Sequence, residues 1–250
     1  MTTQAKMQRL KICTLVPTYN NGGTLRDVVE RVLTYCTDVI VINDGCTDTS
    51  AEILASFGDR ITVVDYGKNR GKGYALKQGF KKAKAMGFQY ALTIDSDGQH
   101  FPEDIPLFVE AIEQHPGALI VGSRNLNQEN MPGGNTFANK FSNFWFKVQT
   151  GIDLPDTQTG YRLYPLQKLP RIFSARYEAE LSLLVFSAWR GIDLVPIKVN
   201  VCYPEDRVTH FRPFWDFFRI SVLNTILCLV AIVYGWPSRW IRKTFRRKSV

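Results

Sequence analysis

The chain is 250 residues long, 45% hydrophobic and 22% charged, an ordinary globular composition for one α/β domain with an appendage. A domain of that size buries most of its apolar surface without disulfide staples. Its five cysteines are scattered with no C-x-x-C pair and read as reduced thiols, and the three histidines form no zinc pattern. The formal charge of +8 is concentrated at one end: Arg239, Arg242, Lys243, Arg246, Arg247 and Lys248 lie in a tail without acids, and the rest of the chain holds 25 basic against 23 acidic residues. A basic tail rather than a basic groove argues against nucleic acid as a partner. The N-terminus, MTTQAKMQRLK, lacks the apolar core of a signal peptide, so the body is expected to stay in the cytoplasm.

KICTLVPTYN reads as a buried strand broken by Pro17. Thr24 is then placed to cap a helix carrying Leu25, Val28, Val29, Val32 and Leu33 at helical spacing. DVIVIND is a second strand ending at the Asp44-Gly45 turn, and Asp48 can cap a helix with Ile53, Leu54 and Phe57 inward. RITVVDY is a third strand, 71–86 a basic amphipathic helix, FQYALTID a fourth strand, 103–114 a helix entered through Pro102, and ALIVGSR a fifth strand. The polar, Gly/Pro-containing segment 125–135 is a candidate lid. An aromatic helix over 137–150, the run DTQTGYRLY, a helix over about 178–190 and a strand near LVPIKVNVCY follow. The alternation predicts a mostly parallel sheet with helices on both faces, whose ligands sit at the carboxyl ends of the strands. TYNN, NDGCTD, DSDGQH and GSRN all fall at such ends.

TIDSDGQH carries the chemistry. If the backbone stays extended, Asp95, Asp97 and Gln99 share one face and offer three oxygens to a hard divalent cation, Mg²⁺ or Mn²⁺, which would neutralise a departing diphosphate. An isolated D-x-D is more often a pair of solvated carboxylates in a turn; the apolar strand before it and the neighbouring strand-end motifs favour the metal. Asp44 can accept from a base N–H. KNRGKGYALKQG places Arg70, Lys72 and two glycines at a helix start, where an anion is favoured. It is neither a Walker A loop, since Gly73 follows Lys72, nor a dinucleotide fingerprint.

In this order PTYN, VINDGCTD, NRGKGYALKQG, TIDSDGQH, GSR and DTQTGYRLY resemble glycosyltransferase family 2, and within it the branch of dolichyl-phosphate mannose synthase, over roughly residues 11–210. The resemblance implies a GT-A fold, a nucleoside-diphosphate sugar donor (UDP or GDP) and inversion at the anomeric carbon. It implies Pro17, Tyr19 and Asp44 on the nucleoside, Asp95, Asp97 and Gln99 on the metal, and Arg124 on phosphate. With Asn21, Lys72 and Asp95 these make up the expected donor-binding set. Asn21 stands where the family has Glu, Asn43 and Cys46 replace two members of Asp-Asp-Gly-Ser, and YPEDRVTHFRPF keeps Arg207 but not the Ser-Lys of the distal motif.

Direct displacement needs a stabilised leaving group and an oriented nucleophile; a hydroxyl acceptor needs a general base, whereas a phosphate is already ionised. Asp97, Asp156 and Glu178 are the catalytic candidates. Glu180 is two residues along the same helix, so at most one of that pair reaches the centre. Arg124, Arg162 and Arg207 are candidate phosphate or acceptor contacts.

Residues 220–236 are nearly uncharged but, at about 26 Å, fall short of a ~30 Å hydrocarbon core, and a single span would carry the basic tail across. An interfacial or re-entrant helix pair on an anionic membrane surface is expected, peripheral or monotopic on the cytoplasmic face, with a buried core helix, or pairing with a membrane subunit or another copy, as alternatives. The expected division is a catalytic domain over 1–210 and a membrane-associated segment over 211–250. The expected partners are a nucleotide sugar and a membrane-associated acceptor, polyprenyl phosphate being the favoured class. A metal-dependent nucleotidyltransferase and a non-catalytic binding module are the alternatives to the glycosyltransferase.

Overall fold

A computed structural model describes residues 1–124, 133–172, 174, 176, 178–202 and 213–238, the side chains of 133–138 and 213–219 excepted. Seven strands form one sheet in the order β3-β2-β1-β4-β6-β5-β7. They are β1 (Ile12–Thr18), β2 (Val39–Asn43), β3 (Thr62–Asp65), β4 (Tyr90–Thr93), β5 (Leu119–Arg124), β6 (Arg162–Pro165) and β7 (Leu194–Val199). β1 pairs parallel with β2 and β4, β2 with β3, and β5 with β7, while β6 runs antiparallel between β4 and β5. β1, β2 and the last three residues of β4 are buried, which is why they read as continuous apolar runs rather than alternating ones.

The helices are α1 (Thr3–Arg9), α2 (Gly22–Leu33), α3 (Ser50–Ser56), α4 (Lys72–Ala85), α5 (Ile105–Gln114), α6 (Gly133–Thr150), α7 (Glu178–Trp189) and α8 (Pro213–Val230), which runs on through a π-helical stretch, Ala231–Gly235. Two apolar clusters form the core. One joins α2 and α5 to the sheet through Val28, Val32, Phe108 and Ile112; the other joins α4, α6, α7 and α8 through Leu76, Phe146, Leu184 and Leu227. The helices therefore occupy both faces, as the alternation requires.

Three local expectations change. α2 begins at Gly22, and the Thr24 hydroxyl donates instead to the Ser96 carbonyl, 2.6 Å, across the strand ends. Asp48 serves two helices, accepting from the backbone N–H of Ser50, 3.0 Å, and of Gly22, 2.8 Å. Residues 133–135 of the expected lid belong to α6, and 125–132 lie outside the described residues. α1 and β6 were not assigned from the sequence. α1 is a single polar helix of seven residues anchored by one buried side chain, Met7, and β6 is too short for its period to stand out.

α4 lies tight on the sheet because Gly79 faces it: a Cβ there would come within 2.9 Å of Ile42 Cδ1 and 3.1 Å of Leu15 Cδ1. Gly79→Val should therefore lower stability by about 1–3 kcal/mol through overpacking, despite the better helix propensity. The urea midpoint reads this directly, and an unchanged or raised midpoint contradicts so close a contact.

Candidate active site

The carboxyl ends of β1, β2, β4 and β5 share one edge of the sheet, and antiparallel β6 brings its amino end there, with Arg162 beside Thr93. The edge loops are tied together. The Asn21 amide donates to the Ser96 hydroxyl, 2.8 Å, and the Thr93 hydroxyl to the Gly160 carbonyl, 2.6 Å. Pro17 is a buried residue of β1 opposite Ile42, and Tyr19 follows at its end, half-buried.

Asp44 is buried and accepts four hydrogen bonds from one loop. The Tyr66 hydroxyl and the Arg70 N–H reach Oδ1, both at 2.8 Å; the Gly71 N–H, 2.9 Å, and the Asn69 amide, 3.2 Å, reach Oδ2. A carboxylate offers about four lone-pair positions, so this group holds the loop before α4 rather than keeping a vacant acceptor for a base. Asn43, an Asp in the family pattern, donates to Asp65 at 2.6 Å and accepts from the Cys46 N–H at 2.9 Å; an ionised Asp could not do the first.

β4 ends at Thr93, and Ser96–Asp97 form a turn, with Gly98 at φ +75° and Asp97 Oδ1 accepting from the Gln99 N–H at 3.0 Å. Asp95, Asp97 and Gln99 therefore lie on a turn, not on one face of an extended strand. Lys72, expected to meet donor phosphate, instead bridges two of the protein's own carboxylates: 2.8 Å to Asp95 Oδ1, 2.9 Å to Oδ2, and 3.1 Å to Glu180 Oε2. The approach is possible because residue 160 is Gly, whose Cβ would sit 2.5 Å from Asp95 Oδ2 and 2.8 Å from Lys72 Nζ. Burial by itself would lower the Lys72 pKa and raise that of Asp95, but their mutual attraction wins in both, raising Lys72 and lowering Asp95. For Glu180 burial wins, and its proton affinity stays raised despite Lys72.

Glu180 thus occupies the place expected of Glu178, which sits half-buried at the first turn of α7. Asp156 is not placed to act as a base either. It is fully buried and takes a bidentate pair from Arg124 (Nε 2.6 Å, Nη2 3.1 Å), the Asn139 amide at 3.0 Å, and the N–H groups of Gln158 and Thr159. Burial would raise its pKa, but the Arg124 contacts and these donors hold it below the usual carboxylate range, far from that of a general base at neutral pH. Arg162, expected as an acceptor contact, is fully buried and donates to the carbonyls of Glu180, 2.7 Å, and Thr157, 2.9 Å, and to the Tyr164 hydroxyl. It braces the floor of the site. Arg207 lies outside the described residues.

His100 closes the TIDSDGQH motif, and the sequence assigns it no role. It is buried, its pKa is pushed down by burial to about 4, its ring centre is 5.2 Å from that of Tyr161, and its backbone pairs with Val201. With the Cys202 N–H on the Gln99 carbonyl, 2.9 Å, it clamps the acidic turn to the chain after β7.

Against known proteins, residues 13–172 match the family model of glycosyl transferase family 2. The chain belongs to that family. It is therefore a glycosyltransferase with a GT-A type sheet, which displaces the nucleotidyltransferase and non-catalytic readings. It is 28% identical over 204 residues to the polyprenol monophosphomannose synthase of Mycolicibacterium smegmatis, covering 76% of each chain. It is 25% identical over 214 residues to the UDP-N-acetylglucosamine–dolichyl-phosphate N-acetylglucosaminyltransferase of Methanococcus voltae, covering 76% of this chain and 85% of that one. In fold it is similar to the glucosyl-3-phosphoglycerate synthase of Mycobacterium tuberculosis, crystallised with Mn²⁺, UDP and glucosyl-3-phosphoglycerate, at a TM-score of 0.68 and 19% identity, covering 92% of this chain and 82% of that one.

Two outcomes follow from the ion pairs. Lys72→Met leaves Asp95 and Glu180 facing one another without a cation and should cost about 3 kcal/mol in urea denaturation; a loss below about 1 kcal/mol contradicts the bridge. Because Asp156 has a depressed folded-state pKa, its contribution is present above the unfolded value of about 3.9 and is lost as pH falls below it towards the folded value. Asp156→Asn should flatten that acid limb of stability, and an unaltered limb contradicts the assignment.

Proposed function

We propose that this glycosyltransferase moves a sugar, with inversion, from a UDP- or GDP-sugar to a polyprenyl phosphate at the cytoplasmic face of a membrane. Both relatives above carry a polyprenol or dolichyl phosphate in their names although their sugars differ, which favours a shared acceptor class over a shared sugar. One observation carries the acceptor reading. Asp156 is committed to Arg124 with its proton affinity held down, and Glu180, though its proton affinity is raised by burial, has its Oε2 on the Lys72 ammonium; a phosphate acceptor needs no base from either. An apolar helical stretch, Ile220–Ser238, supports membrane association.

The side-chain oxygens of Asp95, Asp97 and Gln99 are hard donors of the kind Mg²⁺ and Mn²⁺ prefer, and these three residues are proposed to hold such a cation, although Lys72 stands on both Asp95 oxygens and no cluster of His, Cys, Asp and Glu able to hold a metal occurs among the described residues. Bound there, it would supply positive charge to the departing diphosphate. The chain's own part is to hold that turn still: Asn21 and Thr24 fix Ser96, Cys202 fixes Gln99, and Lys72 fixes Asp95. Arg124, oriented by Asp156, is suited to phosphate. Pro17, Tyr19 and Asn21 are proposed to line the nucleoside side.

The test is mass spectrometry of lipid extracts after incubation with polyprenyl phosphate, Mn²⁺ and a panel of UDP- and GDP-sugars. A polyprenyl-phosphate sugar is expected, at least 100-fold reduced by Asp97→Ala in a variant of unchanged circular dichroism. Transfer only to a hydroxyl acceptor would overturn the reading and assign Glu180 as general base. Full activity of Asp97→Ala would remove that carboxylate from the chemistry.

A further inference from the structure

α8 and the turn after it divide into two stripes. Asn224, Leu227, Ala231 and Gly235 are buried against the catalytic body, while Val222, Ile226, Leu229 (61% exposed) and Val233 (81%) face outward. The inner stripe is locked. The Gln149 amide of α6 donates to Asn224 Oδ1, 3.0 Å, and the Trp189 indole of α7, packed under Gly235, donates to the Gln149 carbonyl, 3.0 Å. At the far end the Trp236 indole donates to the Val148 carbonyl of α6, 3.3 Å, and Val148 and Phe144 (59% exposed) are exposed apolar side chains of that helix. Exposed apolar side chains thus stand on both α8 and α6, the two helices joined by these bonds.

We propose that this α6–α8 face inserts in-plane into one leaflet of an anionic bilayer, α8 lying along the interface instead of crossing it. Three observations select that occupant. A helix crossing the membrane while docked in this way would draw the end of α6 into hydrocarbon, together with the exposed Lys147–Asp153 pair beside Val148. The stripe leads directly into residues 239–250, which carry six basic side chains and no acid, matching a negatively charged headgroup layer. α6 also carries Asn139, bonded to Asp156, so insertion holds the Arg124 end of the site near headgroup depth. The inference gives the acceptor reading above its membrane surface, but its test reads no sugar transfer, so either can fail alone.

The test uses the full chain with Cys46, Cys202 and Cys228 replaced by Ser. Single spin labels are placed by Val222→Cys, Ile226→Cys, Leu229→Cys and Val233→Cys, and the protein is bound to phosphatidylcholine vesicles containing roughly 30% phosphatidylglycerol. An in-plane helix gives all four labels a similar, shallow depth, about 5–10 Å below the headgroups. Depths that change steadily, by about 16 Å over the eleven residues, would mean a crossing helix and overturn the proposal. Labels fully open to an aqueous quencher would overturn it as well. As a second readout, Leu229→Glu with Val233→Glu should cut vesicle binding at least about tenfold with unchanged circular dichroism, since both charges would enter the apolar layer. Undiminished binding contradicts it, as does a dimer in lipid-free solution that this pair of substitutions converts to monomer.

Discussion

One partly buried cation organises the edge of the sheet where the chemistry is expected. Lys72 opens α4, Asp95 follows β4 and Glu180 lies in the first turn of α7, and the ammonium bridges the last two. Bringing three charges out of water is unfavourable unless each is paired, so these elements cannot drift apart independently. Gly160 permits the contact, and Arg162 adds a second buried positive charge beneath it, its guanidinium on the Glu180 carbonyl. Arg124 with Asp156 repeats the device at the next strand end, and Asn139 links that pair to α6. The site is thus assembled from salt bridges that the apolar body on either side holds in place.

Much of this order was legible in the sequence because it rests on periodicity. Buried parallel strands leave unbroken apolar runs such as DVIVIND, and amphipathic helices leave the spacing of Leu25, Val28, Val29 and Val32. The placement of polar motifs at strand ends followed from the topology alone. β6 was not visible, for a physical reason: four residues buried on both faces carry no alternation, and its antiparallel pairing depends on contacts distant in the chain.

Site residues were legible as types and less so as partners. Asp95, Lys72 and Glu180 each invited a ligand when read singly, but 23 and 85 residues separate Asp95 from the other two, and nothing local announces that they satisfy one another. Asp156 read as a catalytic candidate because its partners Arg124 and Asn139 lie 32 and 17 residues earlier on different elements. The choice of Glu178 over Glu180 was a question of helix phase, decided by which side of α7 meets α4. Asp44 was recognised as special, yet two of its four partners are backbone N–H groups, which side-chain identity does not reveal. The departure at Asn43 likewise becomes intelligible only beside Asp65.

The central claim is that the donor's diphosphate is received at the carboxyl edge of the sheet, by the turn carrying Asp95, Asp97 and Gln99, with Arg124 nearby. The most direct measurement is a crystal structure of the protein with Mn²⁺ and UDP or GDP, the metal located by its anomalous signal. An anomalous peak is expected at that turn, with the diphosphate between it and the end of β1. A peak elsewhere on the protein, or a nucleotide bound at the opposite edge of the sheet, would contradict it.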